Sequence, residues 1–348
     1  MGLQNQFQKF NEKIQLTWAD EKLKEIREKD ESIKEDIRSA FKNNGYPVDD
    51  FFRQGSYATQ TCIEPINDDY DIDIGIVIDS SNAPENPIDV KKTLRDVLKA
   101  RNLKDPRIKM PCVTAQYYEK GEKLFHLDYP VYKKSQSQLY LAIGKEFSDE
   151  NTRKWEPGDP KGLISWINDK TSFFSEENYM QYKRLIRFIK RWRDYCITGT
   201  ERKSVYSIAL NVMIRERFQS SISYDGDVDD LKSLKNTISS ILNYDYFRHI
   251  ESENNSFPQF EVVVNLPVEP WRNIFNKHGL TLGTFLRNKF ISLFENLEKV
   301  SQETILKKQC EILSNNIFGD DFPIPEDSDR SANQKFKEPG FISSPQGA

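Results

Sequence analysis

Three acidic residues set the chemistry this chain can do. Asp71 and Asp73 stand two apart in Asp71-Ile72-Asp73-Ile74-Gly75-Ile76-Val77-Ile78, and Asp128 lies in Phe125-His126-Leu127-Asp128-Tyr129-Pro130-Val131. Successive strand residues point to opposite faces, so Asp71 and Asp73 share one face while the isoleucines take the other. Two carboxylates so placed repel each other unless a cation sits between them. Hard divalent ions with oxygen ligands satisfy them, and Mg²⁺ is the natural occupant where phosphates complete the shell. Upstream, Gln54-Gly55-Ser56-Tyr57 offers a tight turn whose backbone N–H groups and hydroxyl make a nest for phosphate oxygens. A Gly-Ser turn, two carboxylates on one strand face and a third on a neighbouring strand are what template-independent nucleotidyl transfer with two magnesium ions requires.

Each part also has a plainer reading. An Asp-x-Asp pair alone is a weak signal, Gly-Ser occurs in any loop, and Asp128 alone serves equally well as a surface acid. Their order carries the argument. The turn follows a helix stop and precedes the carboxylate strand, and an acid centred in a strand as apolar as Phe125–Val131 is costly unless paired or metal-bound.

Composition narrows the partners. The 348 residues can bury one large core or two modest ones, so two lobes are expected. Charged residues make up 30% of the chain, yet the net charge is only -4. Proteins that grip long nucleic acid show a basic excess, so small substrates are favoured. Cys62, Cys112, Cys196 and Cys310 form no CxxC pair, and His126, His249 and His278 show no ligand spacing. Carboxylates and hard cations, rather than histidine-bound metals, are therefore expected to carry the chemistry. No apolar run approaches a membrane span and the polar N-terminus lacks a signal-peptide core, so a soluble, cytoplasmic protein is expected.

The elements that must position these residues follow from periodicity. Residues 3–44 are helical in period, with Leu3, Phe7, Phe10, Ile14 and Trp18 on one stripe and Leu23, Ile26, Ile33, Ile37 and Phe41 on a second, as in a helical wrapper around the core. Asn43-Asn44-Gly45-Tyr46-Pro47 ends it. Strands are expected over Ile74–Ile78, Val113–Tyr118, Phe125–Tyr132 and Leu139–Ile143, with a helix near Val90–Ala100. Asp159 is placed to cap a helix starting near Lys161. Beyond Thr171 the chain turns helical. Tyr182, Leu185, Ile186, Ile189 and Trp192 share one face, beside a cationic row of Lys183, Arg187 and Lys190 whose default is a solvated face but which could line a cleft. Further helices are expected over Ser204–Phe218, Asp229–Leu242 and Leu282–Asn315. Ser207, near a helix start, could present its hydroxyl and a positive helix end to phosphate. The tail after Pro325 is polar and aperiodic.

These motifs resemble those of the polymerase-β-type nucleotidyltransferases, specifically the bacterial relatives of cyclic GMP-AMP synthase and oligoadenylate synthetase. Gln54-Gly55-Ser56-Tyr57, Tyr70-Asp71-Ile72-Asp73-Ile74-Gly75 and His126-Leu127-Asp128 are similar to the family's nucleotidyltransferase motifs. Leu185–Trp192 followed by Ser207-Ile208-Ala209-Leu210 resembles the helical-domain signature of oligoadenylate synthetases, and Asn316–Pro325 resembles the end of the bacterial branch. The resemblance implies an α+β fold: a polymerase-β-type nucleotidyltransferase lobe with a mixed β-sheet, a helical oligoadenylate-synthetase-like lobe, and an active site in the cleft between. It places the boundaries at 1–165, 166–325 and a flexible tail 326–348.

It also implies catalytic, metal-holding roles for Asp71, Asp73 and Asp128. Nucleotide-binding roles fall to Gln54, Gly55, Ser56, Arg187, Lys190 and Ser207, with Lys190 and Ser207 on the triphosphate and Arg187 near a base or phosphate. Two Mg²⁺ ions, with Mn²⁺ an alternative, would serve as cofactors. ATP, GTP or both would be substrates, pyrimidine triphosphates remaining open. The implied activity is synthesis of a cyclic di- or trinucleotide messenger in anti-phage (CBASS) signalling, read by a separate effector, with a conjugation or regulatory partner at the C-terminus. No His/Cys cluster matches the vertebrate zinc insertion, so DNA activation is not expected. The aromatic that often follows the helical-domain serine is Ile208 here, which leaves the base-stacking partner open. A linear nucleotidyltransferase acting on RNA or protein, and a non-catalytic nucleotide-binding scaffold, are the alternatives.

Overall fold

The computed structural model describes residues 2–17, 20–66, 70–119, 121–251, 257–276 and 280–326. Helices α1 (Leu3–Ile14) and α2 (Glu21–Asn43) come first, then β1 (Val48–Arg53), the single turn α3 (Gly55–Ala58), β2 (Tyr70–Asp79) and α4 (Pro87–Ala100). Five strands follow: β3 (Lys104–Ile108), β4 (Val113–Glu119), β5 (Glu122–Tyr129), β6 (Val131–Ser135) and β7 (Gln138–Ile143), with β8 (Lys154–Gly158) beyond a short 3₁₀ turn. The remainder is helical: α5 (Pro160–Asn168), α6 (Glu176–Cys196), α7 (Gly199–Ser204), α8 (Ser207–Arg217), α9 (Asp230–Leu242), α10 (Leu280–Gln302) and α11 (Leu306–Leu313), which runs into a π-helical turn. A small antiparallel pair, β9 (Phe247–Ile250) and β10 (Gln259–Val262), interrupts it. Among the described residues no helix is long and apolar enough to cross a membrane.

The strands form one mixed sheet in the order β3-β4-β5-β2-β6-β7-β8, with β1 also antiparallel to β2. β2 lies at its centre, parallel to β5 along its first half and to β6 along its second. Alternation along β2 divides its side chains. Ile72, Ile74, Ile76 and Ile78 enter a core with Ile33, Ile37 and Phe41 of α2 and Leu94 and Leu98 of α4. Asp71 and Asp73 are left on the opposite face. The fold is the expected α+β type, a mixed sheet joined to a helical region.

A second core belongs to the helices. Tyr182, Leu185, Ile186, Ile189 and Trp192 of α6 pack with α8, α9 and α10. α1 joins this core rather than the sheet: Phe10 stacks on Phe188 at 5.2 Å, and Phe7 meets Phe322 edge-on at 5.1 Å. The stripe Leu3, Phe7, Phe10, Ile14 thus serves the helical core while the α2 stripe serves the sheet.

Several boundaries differ from the periodic reading. The strand expected over Phe125–Tyr132 is divided at Pro130, which has no N–H to give the ladder, although its carbonyl accepts from Ile76 N at 2.9 Å. The helix expected over Leu282–Asn315 is broken after Gln302, where the Glu303 carboxylate accepts from the N–H groups of Thr304 and Ile305 at 2.8 Å each. The helix expected over Ser204–Phe218 is two, α7 ending at Ser204 and α8 beginning at Ser207. β1, β3 and β8 lay outside the expected strands. Trp18, and the tail 326–348 beyond Glu326, lie outside the described residues.

Candidate active site

The parallel register of β2 and β5 sets Asp71 beside His126 and Asp73 beside Asp128. Ligand atoms of Asp71, His126 and Asp128 all lie within 4.8 Å of one another. Asp73 continues the same face and meets the turn that precedes it. Gly55 has φ +60°, and a Cβ there would sit 2.0 Å from Asp73 Oδ2. Glycine is therefore required twice over, for its left-handed backbone and for the carboxylate laid against it. The Gln54 N–H donates to the Asp73 carbonyl at 2.9 Å, and the Gln54 amide is held by the Tyr132 hydroxyl at 3.0 Å. Ser56 Oγ accepts from the buried Cys62 thiol at 3.2 Å.

The acids titrate apart. Asp71 reaches solvent at the floor of a cleft, yet burial of its carboxylate, with repulsion from Asp73 and Asp128, lifts its pKa to about 8. Asp73 rises to about 7, again through burial and then the Asp128 charge. For Asp128 burial pushes the same way but is outweighed. His126 lies 3.3 Å from its Oδ1, Lys109 lies 3.4 Å away, and the hydrogen bonds and charge they supply hold it below the usual carboxylate range. His126 is itself held by the Thr114 hydroxyl. One acid is thus kept ionised and two keep protons into the neutral range unless a cation shares the site.

Two cavities, of about 480 and 620 Å³, open on either side of this face. Ser56, Asp71, Lys190, Arg193, Arg202 and Ser207 line both and form the wall between them. His126, Asp128 and Lys109 face the smaller cavity; Gln54, Gly55 and Asp73 face the larger. The larger continues between α5 and α8, where Leu163, Ile164, Ile167 and Ile208 make it aliphatic. Asn211, one turn beyond Ser207 on the same face of α8, lines this part. It is only 5% exposed, and its side-chain oxygen, closed off from solvent, has no hydrogen-bond partner among the described residues. Leaving such a group unsatisfied costs about 1–3 kcal/mol.

The cationic row of α6 is not solvated, and only Lys190 of it lines the two cavities. Lys183, Arg187, Lys190 and Arg191 are all buried. They donate in turn to the carbonyls of Thr59 (2.7 Å), Gln60 (3.2 Å), Thr61 (2.8 Å) and Glu64 (2.6 Å). The segment from Thr59 to Glu64 has few ladder partners for these oxygens, and α6 supplies donors at helical spacing. Burial pushes Lys183 down to about 7 and Lys190 down to about 8.

The structure brings Asp71, Asp73, Asp128, Gln54, Gly55, Ser56, Lys190 and Ser207 to these cavities, but not Arg187. Its guanidinium is spent on Asn11 Oδ1 at 2.8 Å and on the Gln60 carbonyl, because its place in the row points it toward α1. Arg193, three residues past Lys190, takes the cleft position instead, donating to Ser207 Oγ and pairing with Asp194 at 2.6 Å. The i, i+3 spacing from Lys190 was the available signal. His126 shares the strand face of Asp128, a signal the sequence offers even though its three histidines show no ligand spacing. Lys109, Arg202 and Lys203 sit outside any periodic pattern.

The fold, with paired carboxylates on the central strand and a Gly-Ser turn packed against them, is that of the polymerase-β-type nucleotidyltransferases. Residues 49–132 match the family profile described as cyclic GMP-AMP synthase DncV-like, nucleotidyltransferase domain. A cyclic GMP-AMP synthase of Escherichia albertii is 30% identical over 184 residues, 50% of this chain and 38% of that relative's length. The Vibrio cholerae DncV cyclic AMP-GMP synthase superposes with a TM-score of 0.65 at 16% identity, covering 91% of this chain and 96% of that one. The E. coli MS115-1 CdnC structure with ATP superposes at 0.62 and 14% identity, over 93% and 99% of the two chains. The match over residues 49–132 marks a DncV-like nucleotidyltransferase domain, the structural likeness extends the fold over most of the chain, and the chain spans about two fifths of the length of the curated relative it matches.

Proposed function

We propose that this chain is a Mg²⁺-dependent synthase that joins nucleoside triphosphates into a cyclic di- or trinucleotide with release of pyrophosphate. The observation that carries this reading is the shared wall: Asp71 stands where two nucleotide-sized cavities meet, with Asp73 facing the larger and Asp128 the smaller. One cavity would hold the donor triphosphate and the other the acceptor ribose. The Vibrio cholerae relative has been solved with the linear intermediate 5′ pppA(3′,5′)pG, which supports a stepwise order here.

The donor set suits a hard cation. Its oxygens dominate, and a bound cation would draw the protons off Asp71 and Asp73 below the raised values they have without it. Asp71, Asp73 and Asp128 would hold it, and when bound it would lower the pKa of the acceptor hydroxyl and neutralise charge on the leaving pyrophosphate. Asp128, ionised and faced by the acceptor cavity, is placed to take the hydroxyl proton. Ser56, the N–H groups of the Gly55–Ser56 turn, Lys190, Arg193 and Ser207 would cradle the β- and γ-phosphates, so developing charge meets preorganised donors. Turning the linear product between the two cavities would allow ring closure. The product would be read by a separate effector in anti-phage signalling, which the family likeness supports. A conjugation or regulatory partner at the C-terminus would engage residues outside those described.

The test is incubation with Mg²⁺ and the four labelled triphosphates, followed by phosphatase and linkage-specific nucleases. A phosphatase-resistant product is expected from the native protein, falling at least about a thousandfold with Asp73→Asn. Phosphatase-sensitive oligomers would replace this reading with a linear polymerase, and triphosphate binding without product would replace it with a nucleotide-binding scaffold.

A further inference from the structure

Among the described residues, the side chains whose ligand atoms gather within 4.8 Å of one another are Asp71, His126 and Asp128, and Asp73 is outside that group. The parallel register produces this. It sets His126 directly beside Asp71 and Asp128 beside Asp73, so Asp71, His126 and Asp128 take three corners of one face and Asp73 the fourth. The cavities divide the corners in the same way: His126 and Asp128 face the smaller, Asp73 the larger, and Asp71 both. Two ions on this face would therefore meet different shells. An ion between Asp71 and Asp73 finds carboxylate oxygen alone, whereas one on the smaller-cavity side finds an imidazole nitrogen as well.

His126 is turned for this role. Its Nε2 lies 3.3 Å from Asp128 Oδ1. Neighbouring ligand atoms on one ion with bonds of about 2.1 Å stand about 3 Å apart. The buried Thr114 hydroxyl, opposite Asp128 on β4, holds the ring in place. A positive charge already bridges the same two atoms: Lys109 Nζ stands 3.4 Å from His126 Nε2 and 3.4 Å from Asp128 Oδ1. An ammonium has donors only, so this contact suits the ring nitrogen in its lone-pair form, the form that binds a metal. The Lys109 side chain is 42% exposed, and its flexible stem can swing out when a divalent ion takes the place of its ammonium.

We propose that His126 is a direct nitrogen ligand of the ion shared by Asp71 and Asp128. That position then takes a divalent transition ion, Mn²⁺, in preference to Mg²⁺, while the position between Asp71 and Asp73 keeps an oxygen shell suited to Mg²⁺. Mg²⁺ demands oxygen and gives up its waters reluctantly, imidazole suits the transition ions, and Mn²⁺ is the transition ion that also accepts carboxylate and water oxygen. The inference rests on the reading of these acids as a metal site, and the experiment separates the two.

Mn²⁺ alone is added below one equivalent to the full chain, and pulsed electron paramagnetic resonance reads the nuclei bound to it. The nitrogen coupling of a directly bound imidazole is expected. It should change to the labelled pattern when the protein carries isotopically labelled histidine, which makes the test without any substitution. It should vanish in His126→Gln, which retains His249 and His278. Mg²⁺ is then titrated against the bound Mn²⁺. Partners one shell out from a metal are worth about 10–100-fold in affinity, so His126→Gln should release Mn²⁺ at about tenfold less Mg²⁺ than the native chain, or lower still. His126→Asp restores an oxygen ligand and should hold the ion while losing both the nitrogen coupling and the preference for Mn²⁺. Bound Mn²⁺ without histidine coupling, or a Mn²⁺ preference that survives in His126→Gln, would overturn the ligand assignment and leave His126 to orient Asp128 alone. Mn²⁺ that stays free in solution would overturn the metal-site reading and this inference with it.

Discussion

At the scale of single residues the site is a set of charges that tolerate one another only conditionally. Asp71 and Asp73 hold protons to about pH 8 and 7, whereas in an unfolded chain each would lose its proton near pH 4. Between those values the folded state binds more protons than the unfolded state, so the metal-free protein loses stability as pH rises from about 5 to about 8. The depressed Lys183 and Lys190 act oppositely, adding stability as pH rises above about 7, so the contribution of the acids must be read by difference. Thermal melts in chelator should therefore fall more steeply with pH for the native chain than for an Asp71→Asn, Asp73→Asn double variant. Mg²⁺ should raise the native melting temperature more at pH 8 than at pH 6; an equal rise at both would contradict the assigned proton-holding. Gly55 gives a second residue-level expectation. Alanine there needs a strained φ and meets Asp73, so Gly55→Ala should cut product formation by about a hundredfold or more with the far-ultraviolet circular dichroism unchanged.

At the scale of elements, α6 and the segment from Thr59 to Glu64 are the structure's seam, since the segment leaves the Gly-Ser turn and α6 belongs to the helical core. Lys183→Met keeps the side-chain length but strips the donor from the Thr59 carbonyl and from Asn168. It should lower unfolding free energy by about 1–3 kcal/mol in denaturant titrations and weaken triphosphate binding, because Thr59 closes the α3 turn that begins at Gly55. Unchanged unfolding would show that the seam is not held by these bonds. This element also marks where the sequence stops being legible. The alternation around Asp71 and Asp73, and the cap at Asp159, whose carboxylate accepts from Gly162 N at 2.7 Å, are local facts that a local pattern reveals. The cations of α6 look like a solvated face because nothing in their own spacing shows that a row of carbonyls lies opposite. β1 and β8 are hidden for a different reason: Val48-Asp49-Asp50-Phe51-Phe52-Arg53 and Lys154-Trp155-Glu156-Pro157-Gly158 lack a period of two, and their pairing is dictated by neighbouring strands.

At the scale of the whole molecule, the two cores do not divide the chain at one point. α1 is adjacent in sequence to the helix that covers the sheet, yet its aromatics lie among Phe188, Phe318 and Phe322. Phe10→Ala should therefore lower unfolding free energy by about 3–5 kcal/mol. The loss should appear in probes of the helical core such as Trp192 fluorescence, which that ring reports through its contacts with the α10 residue Phe290. A loss confined to the sheet would contradict the placement of α1.

The clasp between α1 and the Phe318–Phe322 segment has a consequence during synthesis. Phe7 and Phe10 precede Phe318 and Phe322, rings that help cover them, by more than 300 residues, so they are made well before them. Until then a greasy stripe waits uncovered and the helical half cannot close. A chain that stops before Phe318 is thereby left without part of the packing around Phe188 of α6.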